Sequence, residues 1–130
     1  MKYLFDSSAI FRAIKENRVD LLAGNVTLEI ARYELGNIVW KDYLLLARIS
    51  KEQARSLMAA IKGALSAMEV FQIASREEEI LETAEQFQIT FYDSAYVYFA
   101  DSQTLTLVTE DQRLTKKISP DIKTLTLDKI

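Results

Sequence analysis

Residues 2–14 read KYLFDSSAIFRAI, and the pattern in this stretch changes from strand to helix within a few residues. The apolar run Tyr3–Phe5 predicts a short buried strand. Either Ser7 or Ser8 is placed to cap the following helix through its hydroxyl group. Asp6 therefore lies at the junction of a strand and a helix. It is a third polar residue there, beyond the two serines that are available to cap the helix.

The same alternation of short apolar runs and helical patterns continues to the end of the chain. It predicts strands at residues 2–5, 26–27, 70–73, 105–109 and 122–127. It predicts helices that end near residue 14, that cover 28–49, 51–68, 93–100 and 111–118, and one more that Ser75 caps. This order indicates an α/β fold of three layers, α/β/α, with a central and mainly parallel sheet. The 130 residues contain no linker or repeat, so one domain, residues 1–130, is expected.

Four acidic residues lie at informative places in this pattern. Asp6 and Asp111 each lie just past the end of a predicted strand, and Asp93 begins a predicted helix. Glu34 lies within a helix, and Asn37 follows it three residues later on the same face. In open parallel sheets the functional crevice lies beyond the carboxyl ends of the strands, where the strand order reverses. Asp6 and Asp111 are thus predicted to lie at such a crevice.

Each acidic residue also has a structural explanation. Asp6 and Asp93 could serve as ordinary helix N-caps, since Asp is a favoured capping residue. At a helix start the dipole is expected to lower the pKa of Asp93 and keep it ionised. Glu34 could be a solvated residue on the helix face. The functional interpretation depends on the four residues acting together.

Two of the acidic positions have rivals. Glu29 precedes Glu34 by five residues and is expected at the start of the helix. Glu110 stands beside Asp111, and one of the two is expected to cap a helix while the other points into the crevice. The residues themselves leave the choice between Glu110 and Asp111 open.

The composition excludes several kinds of catalysis. The chain has no His and no Cys, which excludes the Ser-His-Asp and Cys-His mechanisms and Cys-type zinc sites. Carboxylates gathered around a hard divalent cation are the best remaining means of hydrolysis. The four acidic residues are therefore candidate metal ligands.

The charge balance limits how the chain could bind nucleic acid. The net charge is -3, whereas proteins that bind by broad neutralisation are usually basic. Binding would need a local basic rim around the acidic centre. The candidate rim residues are Arg12, Lys15, Arg32, Lys41, Arg113, Lys116 and Lys117.

The hydrophobic pattern predicts no membrane segment. No apolar run approaches the roughly 20 residues needed to cross a bilayer. Asp6 interrupts any signal-like apolar region near the start, so secretion is not expected. A cytoplasmic location is the expectation.

Four segments together resemble the PIN-domain family, and within it the VapC-like toxins of toxin-antitoxin pairs. They are LFDSSAI at 4–10, YELGN at 33–37, FYDSAY at 91–96 and LVTED at 107–111. Their order and spacing and the total length fit the family along essentially the whole chain. The Glu-x-x-Asn pattern of the family selects Glu34 over Glu29. Its Thr-x-Asp pattern selects Asp111 over Glu110.

The resemblance implies a function as well as a fold. It implies a PIN-like sheet and an endoribonuclease, dependent on Mg²⁺ or Mn²⁺, that hydrolyses phosphodiester bonds of RNA. It also implies a homodimer and a protein antitoxin that lies over the acidic crevice. Residues 49–68 carry no family signature, and substrate choice and antitoxin contacts are expected there.

The expected site consists of catalytic carboxylates and their polar neighbours. The carboxylates would bind one or two cations, with Asp6 and Asp93 as direct ligands and Glu34 and Asp111 acting directly or through water. The neighbours, which would orient water or line the site, are Ser8, Asn37 and Thr109. The alternative is a non-catalytic binding module whose acidic crevice only docks an Arg or Lys of a partner.

Overall fold

The computed structural model describes residues 2–130, which contain a five-stranded sheet whose neighbouring strands are all parallel. The strands are β1 (Tyr3–Phe5), β2 (Val26–Leu28), β3 (Glu69–Phe71), β4 (Thr106–Val108) and β5 (Thr124–Leu125). Their order in the sheet is β3-β2-β1-β4-β5. All five predicted strands are present. Met1 of the expected domain lies outside the described residues.

Six α-helices connect the strands. They are α1 (Ser7–Lys15), α2 (Ile30–Trp40), α3 (Lys51–Ser66), α4 (Glu77–Phe87), α5 (Phe91–Ser102) and α6 (Gln112–Ile118). A 3₁₀ turn covers Val19–Leu21, and a π-helical turn, Lys41–Leu45, follows α2. Throughout residues 2–130, every helix is too short or too polar to cross a bilayer.

Helices cover both faces of the sheet. Leu4 and Phe5 of β1 are both fully buried, although successive residues of a strand point to opposite faces. Phe5 packs in an apolar cluster with α1, α2 and α3, whereas Leu4 packs in a second cluster with α4, α5 and α6. The predicted three-layer α/β/α fold is confirmed.

The strand order reverses between β1 and β4. From β1 the chain adds β2 and β3 on one side, and it then crosses over to add β4 and β5 on the other. At the end of β1 the backbone N–H of Asp6 donates to the carbonyl of Val108, at 3.1 Å. Asp6 therefore lies beside the end of β4, where this architecture places its functional crevice.

Two predicted capping residues do not cap. Ser7 and Ser8 are the first residues of α1, and Asp6 is its N-cap, with a carboxylate oxygen that accepts from the Ala9 N–H at 3.0 Å. Ser75 has a φ of 76° and lies two residues before α4, which begins without a side-chain cap. The expectation for Ser7 and Ser8 was wrong because a carboxylate at the strand end reaches the same N–H.

The long helix predicted over residues 28–49 is also shorter in the structure. The α-helical part ends at Trp40, and a π-helical turn follows. Leu46, which continues the apolar spacing of this helix, lies just after the turn and is 39% exposed, whereas Tyr43 packs against the core. A capping box begins α3, since Ser50 and Gln53 exchange both of its hydrogen bonds.

Candidate functional site

Asp6 is the centre of a buried set of hydrogen bonds at the ends of β1 and β4. Only 6% of the residue is exposed. One carboxylate oxygen accepts from the Ser8 hydroxyl at 2.6 Å as well as from the Ala9 N–H, and the other accepts from the Thr109 hydroxyl. Three donors from two chain segments therefore fix the orientation of this carboxylate.

The two hydroxyl groups also fix the loop after β4. Ser8 Oγ accepts from the Glu110 N–H at 3.0 Å, and Thr109 Oγ1 accepts from the Asp111 N–H at 3.1 Å. Each hydroxyl has one proton, which it donates to Asp6. They can therefore orient water only by accepting from it, and their predicted role toward water stays a prediction.

Burial dominates the acidity of Asp6. It is the main reason that the pKa of this carboxyl is raised to about 6, and the charge of Glu34 acts in the same direction. The hydrogen bonds from Ser8, Thr109 and Ala9 act in the opposite direction. The carboxyl thus changes its charge close to neutral pH, as expected for like charges gathered in a partly dry crevice.

Glu34 lies on α2 and faces a buried tyrosine of α5. Tyr96 donates its hydroxyl proton to Glu34 Oε1 at 2.8 Å. Burial raises the pKa of Glu34, the bonds to Tyr96 and the nearby Ser7 lower it, and the charge of Asp93 raises it. Burial and the charge of Glu34 also raise the pKa of Tyr96, so the phenol stays protonated and remains a donor.

Asp93 lies in the first turn of α5 but is not its cap. Thr90 is the N-cap, and its hydroxyl accepts from the Asp93 N–H at 3.1 Å. Burial raises the pKa of Asp93 and the charge of Asp111 raises it further, whereas Thr90 and Lys117 lower it. The expected lowering of the pKa by the helix dipole is therefore wrong, because desolvation and a neighbouring carboxylate outweigh it.

The loop after β4 separates Glu110 from Asp111. Glu110 is turned away from Asp6, since one of its oxygens pairs with Arg12 and the other accepts from the Leu127 N–H at 2.7 Å. Asp111 caps α6 through the N–H groups of Arg113 and Leu114, at 3.0 and 3.1 Å. Asp111 is thus both the helix cap and the residue whose charge acts on Asp93.

The four carboxylates form a series of electrostatic neighbours. The charge of Glu34 acts on Asp6, that of Asp93 on Glu34, and that of Asp111 on Asp93. Within residues 2–130, no three acidic side chains stand close enough together to form a ready metal-binding group. The oxygen donors nevertheless have the chemistry that a hard divalent cation prefers. Their use as ligands therefore stays a prediction.

Two of the predicted rim cations are occupied by carboxylates. Arg12 bonds Glu16 and Asp128, each at 2.8 Å, in addition to Glu110. Arg32 lies in the first turn of α2 and pairs at 2.8 Å with Glu29, the residue just before that helix. Lys117, by contrast, is close enough to Asp93 to lower its pKa. Asn37 is exposed on α2, one turn beyond Glu34.

The sequence interpretation missed three polar residues of the site. Tyr96 was not among the candidate residues, Ser7 was considered only as a cap, and Thr90 was not singled out. Tyr96 follows Asp93 by three residues and so shares its helix face, which is the one signal that could have indicated it. Its partner Glu34 is 62 residues away in the chain, and no local pattern connects the two.

Two curated proteins of Pyrobaculum aerophilum are similar to the chain along most of its length. Exonuclease VapC9 is 31% identical over 129 residues, which cover 98% of this chain and 93% of that protein. Ribonuclease VapC3 is 27% identical over 125 residues, which cover 90% of this chain and 95% of that protein. No protein-family model matches the chain.

Solved structures share the fold. The crystal structure of PAE2754 from Pyrobaculum aerophilum has a TM-score of 0.82 at 26% identity, over 99% of this chain and 91% of that chain. A toxin-antitoxin complex from Klebsiella pneumoniae has a TM-score of 0.67 at 18% identity, over 97% of this chain and 98% of that chain. The solved structures therefore confirm the fold, and the relative at 31% identity shows the family.

Proposed function

The chain belongs to the VapC family, and we propose that it is an endoribonuclease that depends on Mg²⁺ or Mn²⁺ and is the toxin of a toxin-antitoxin pair. The observation that carries this proposal is the buried carboxylate of Asp6, held by two hydroxyl groups at the switch point of the sheet. Three further carboxylates lie near it, and each one raises the pKa of the next: Glu34 that of Asp6, Asp93 that of Glu34, and Asp111 that of Asp93. Relatives named as an exonuclease and a ribonuclease support a nuclease.

The proposed ligands of the cation are Asp6, Glu34, Asp93 and Asp111. A bound cation of this kind lowers the pKa of a water molecule and stabilises negative charge on a scissile phosphate. The protein itself supplies orientation, because Ser8 and Thr109 fix the carboxylate of Asp6. Tyr96 fixes that of Glu34 in the same way.

A circular single-stranded RNA tests the endonuclease, because only cleavage within the strand can open a circle. We expect opening in Mg²⁺ or Mn²⁺ and none in EDTA. Asp6→Asn should reduce the rate at least about 100-fold, since loss of even an outer partner of a metal site typically costs 10- to 100-fold. Asp20→Asn, at an exposed acidic residue of the 3₁₀ turn, is the matched control and should retain the rate.

The other outcomes of this experiment are equally informative. Opening that needs no cation, or that Asp6→Asn retains, would contradict the proposed site. Degradation of linear RNA alone would indicate an exonuclease. RNA binding without any cleavage would favour the alternative, a binding module whose acidic crevice docks a basic partner.

We also propose where the antitoxin binds. A groove of about 670 Å³ lies between α2 and α3, with apolar side chains that include Trp40, Leu44 and Met58 and with Lys51 and Arg55 beside them. An apolar floor with basic neighbours suits an amphipathic helix that carries acidic residues. This groove includes α3, within the stretch where antitoxin contacts were expected from the sequence.

The groove proposal is tested with the antitoxin, which is sought as the product of a short reading frame immediately upstream of this gene. Leu44→Asp should abolish the complex and leave RNA cleavage intact. Leu81→Asp, at an equally exposed leucine of α4, should affect neither. A complex that tolerates Leu44→Asp would place the antitoxin elsewhere.

The remaining expectations concern assembly and location. We propose a homodimer that acts on RNA in the cytoplasm, in keeping with the family. Sedimentation equilibrium should give about twice the 14.9 kDa of one chain. A mass of one chain at micromolar concentration would contradict the dimer.

A further inference from the structure

A separate groove of about 290 Å³ lies beside the candidate site. It is formed by α2, by α5 and by the residues that follow β3. Its aromatic lining consists of Tyr33, Phe91 and Tyr92, and its aliphatic lining of Ile30, Ile73 and Ala95. The groove therefore offers flat aromatic surfaces within an apolar recess.

All three aromatic residues are exposed, Tyr33 and Tyr92 more than Phe91. Tyr33 is 69% exposed and Tyr92 is 58% exposed. Exposed apolar surface that is gathered beside a polar site commonly marks a place where a ligand binds. Packing in the core does not explain why Tyr33 and Tyr92 expose their rings beside the candidate site.

The groove adjoins the candidate site through the chain itself. Tyr33 immediately precedes Glu34 and Tyr92 immediately precedes Asp93, and the charge of Asp93 acts on Glu34. The groove also lies at the carboxyl edge of the sheet, past β3, which is two strands away from β1. Neighbouring strands are about 4.8 Å apart, so β3 and β1 are about 10 Å apart. A stacked nucleic acid strand covers that distance in about three nucleotides.

The polar residues of the groove suit a base more than a phosphate. The lining residues, all within the part of the chain that the structure describes, include no Lys or Arg. Glu29 lines the groove and is neutralised by Arg32 at 2.8 Å. Gln72 is exposed there, and its amide can both donate to and accept from the edge of a base.

We propose that this groove binds a nucleobase of the RNA substrate, with Tyr33 and Tyr92 supplying the aromatic faces on which it stacks. The proposal rests on the proposed ribonuclease function, and it assigns a base-binding subsite beside the carboxylates. Stacking is tolerant of base identity, since every base has an aromatic face. The subsite thus holds a single strand in place without reading its sequence.

The test measures RNA affinity separately from cleavage. The dissociation constant for a single-stranded RNA oligonucleotide is measured in the Asp6→Asn protein, in which Asn can still cap α1. Adding Tyr33→Ala and Tyr92→Ala should raise the constant roughly 5- to 100-fold. Tyr33→Phe with Tyr92→Phe should restore binding to within about twofold, because the aromatic faces remain. Leu81→Ala, at an exposed leucine of α4, is the control.

A second probe assigns the effect to the bases. An oligonucleotide of the same length without bases should bind the tyrosine and alanine proteins equally. Unchanged affinity for normal RNA in the alanine protein would overturn the subsite, as would an equal loss with both oligonucleotides.

The two proposals fail in different ways. If the wild-type protein opens circular RNA but the alanine substitutions leave the affinity unchanged, the subsite is wrong and the nuclease stands. If no RNA is cleaved but affinity depends on the tyrosines, the nuclease is wrong and base binding stands.

Discussion

Asp6 serves three structural purposes with one carboxylate. It caps α1, it accepts the hydroxyl protons of Ser8 and Thr109, and it belongs to the proposed metal site. These hydrogen bonds fix the orientation of the carboxylate. They also offset part of the free-energy cost of burying its charge near Glu34. The capping and functional interpretations of this residue are therefore compatible.

The burial of Asp6 predicts a specific pH dependence of stability. Its pKa is about 6 in the folded protein and 3.8 as a free side chain, so between these values the folded protein binds more protons than the unfolded chain. The stability that this carboxyl contributes is complete below about pH 4 and is lost as the pH rises through 6. The loss amounts to about 3 kcal/mol.

Urea unfolding from pH 4 to pH 8 in EDTA measures this effect. The free energy of unfolding of the wild type should fall relative to that of Asp6→Asn as the pH rises, because Asn cannot ionise. Curves that stay parallel across this range would contradict a buried carboxyl with a raised pKa. Asp20→Asn, at an exposed position, should follow the wild type.

Tyr96 predicts an effect on the acidity of Glu34. The bond from the phenol lowers the pKa of Glu34, so Tyr96→Phe should raise it further. Carbon-detected NMR titration of Glu34 measures this, and the acid limb of the pH–rate profile should move upward with it. Tyr98→Phe, two residues along the same helix, is the control. A profile that Tyr96→Phe leaves in place would show that Tyr96 only fills the core.

Single residues show where the sequence was sufficient and where it was not. Asp6 and Asp111 could be placed because they follow strands in a parallel fold, and the structure has them there. Tyr96 could not be placed, because a tyrosine among apolar helix residues has the same pattern whether it fills the core or donates to a carboxylate. The residues alone left Glu110 and Asp111 open, the family resemblance selected Asp111, and the fold gives the physical reason, since it brings Arg12 to Glu110.

At the scale of elements, Arg12 connects three segments. It lies on α1 and bonds Glu110 in the loop after β4 and Asp128 near the end of the chain. Glu110 in turn accepts from the Leu127 N–H. The arrangement keeps Glu110 out of the crevice, so that Thr109 and Asp111 are the residues of this loop that face the other carboxylates.

Arg12→Gln should therefore loosen the loop and the end of the chain. We expect faster hydrogen exchange of the amides of Asp111 and Leu127, which the network holds in place, and a lower melting temperature. Arg32→Gln is the matched control, because Arg32 pairs with Glu29 three residues away and such exposed pairs contribute little. Unchanged exchange in Arg12→Gln would show that the hydroxyl bonds of Ser8 and Thr109 suffice to hold the loop.

The elements also show what limits an interpretation from periodicity. The strands were found because each is an apolar run between polar residues. The helix over residues 28–49 was predicted too long, because apolar residues continue past Trp40 into the π-helical turn, where Leu44 and Leu45 are exposed. Apolar residues that are exposed on the surface can have the same spacing as those that pack in the core. The sequence alone does not distinguish the two.

At the scale of the molecule, β1 joins the two apolar clusters. Its residue Leu4 packs with α4, α5 and α6, and its residue Phe5 packs with α1, α2 and α3. Neither cluster can lose its order without exposing one face of this strand. The sheet order, and with it this central position of β1, could not be derived from the sequence alone, because strand order depends on contacts between distant segments.

The shared strand predicts that residues 1–130 unfold as one domain. Fluorescence of Trp40, which lies on α2, and far-UV circular dichroism, which reports all helices, should give coincident urea transitions. Leu4→Ala should lower the free energy of unfolding by about 2–5 kcal/mol and shift both transitions together, because it opens a cavity at the joint of the clusters. Leu81→Ala, on the exposed face of α4, should change it by less than about 0.5 kcal/mol. Transitions that separate in Leu4→Ala would mean that the layers around α1–α3 and α4–α6 are stable independently, and the single domain would be wrong.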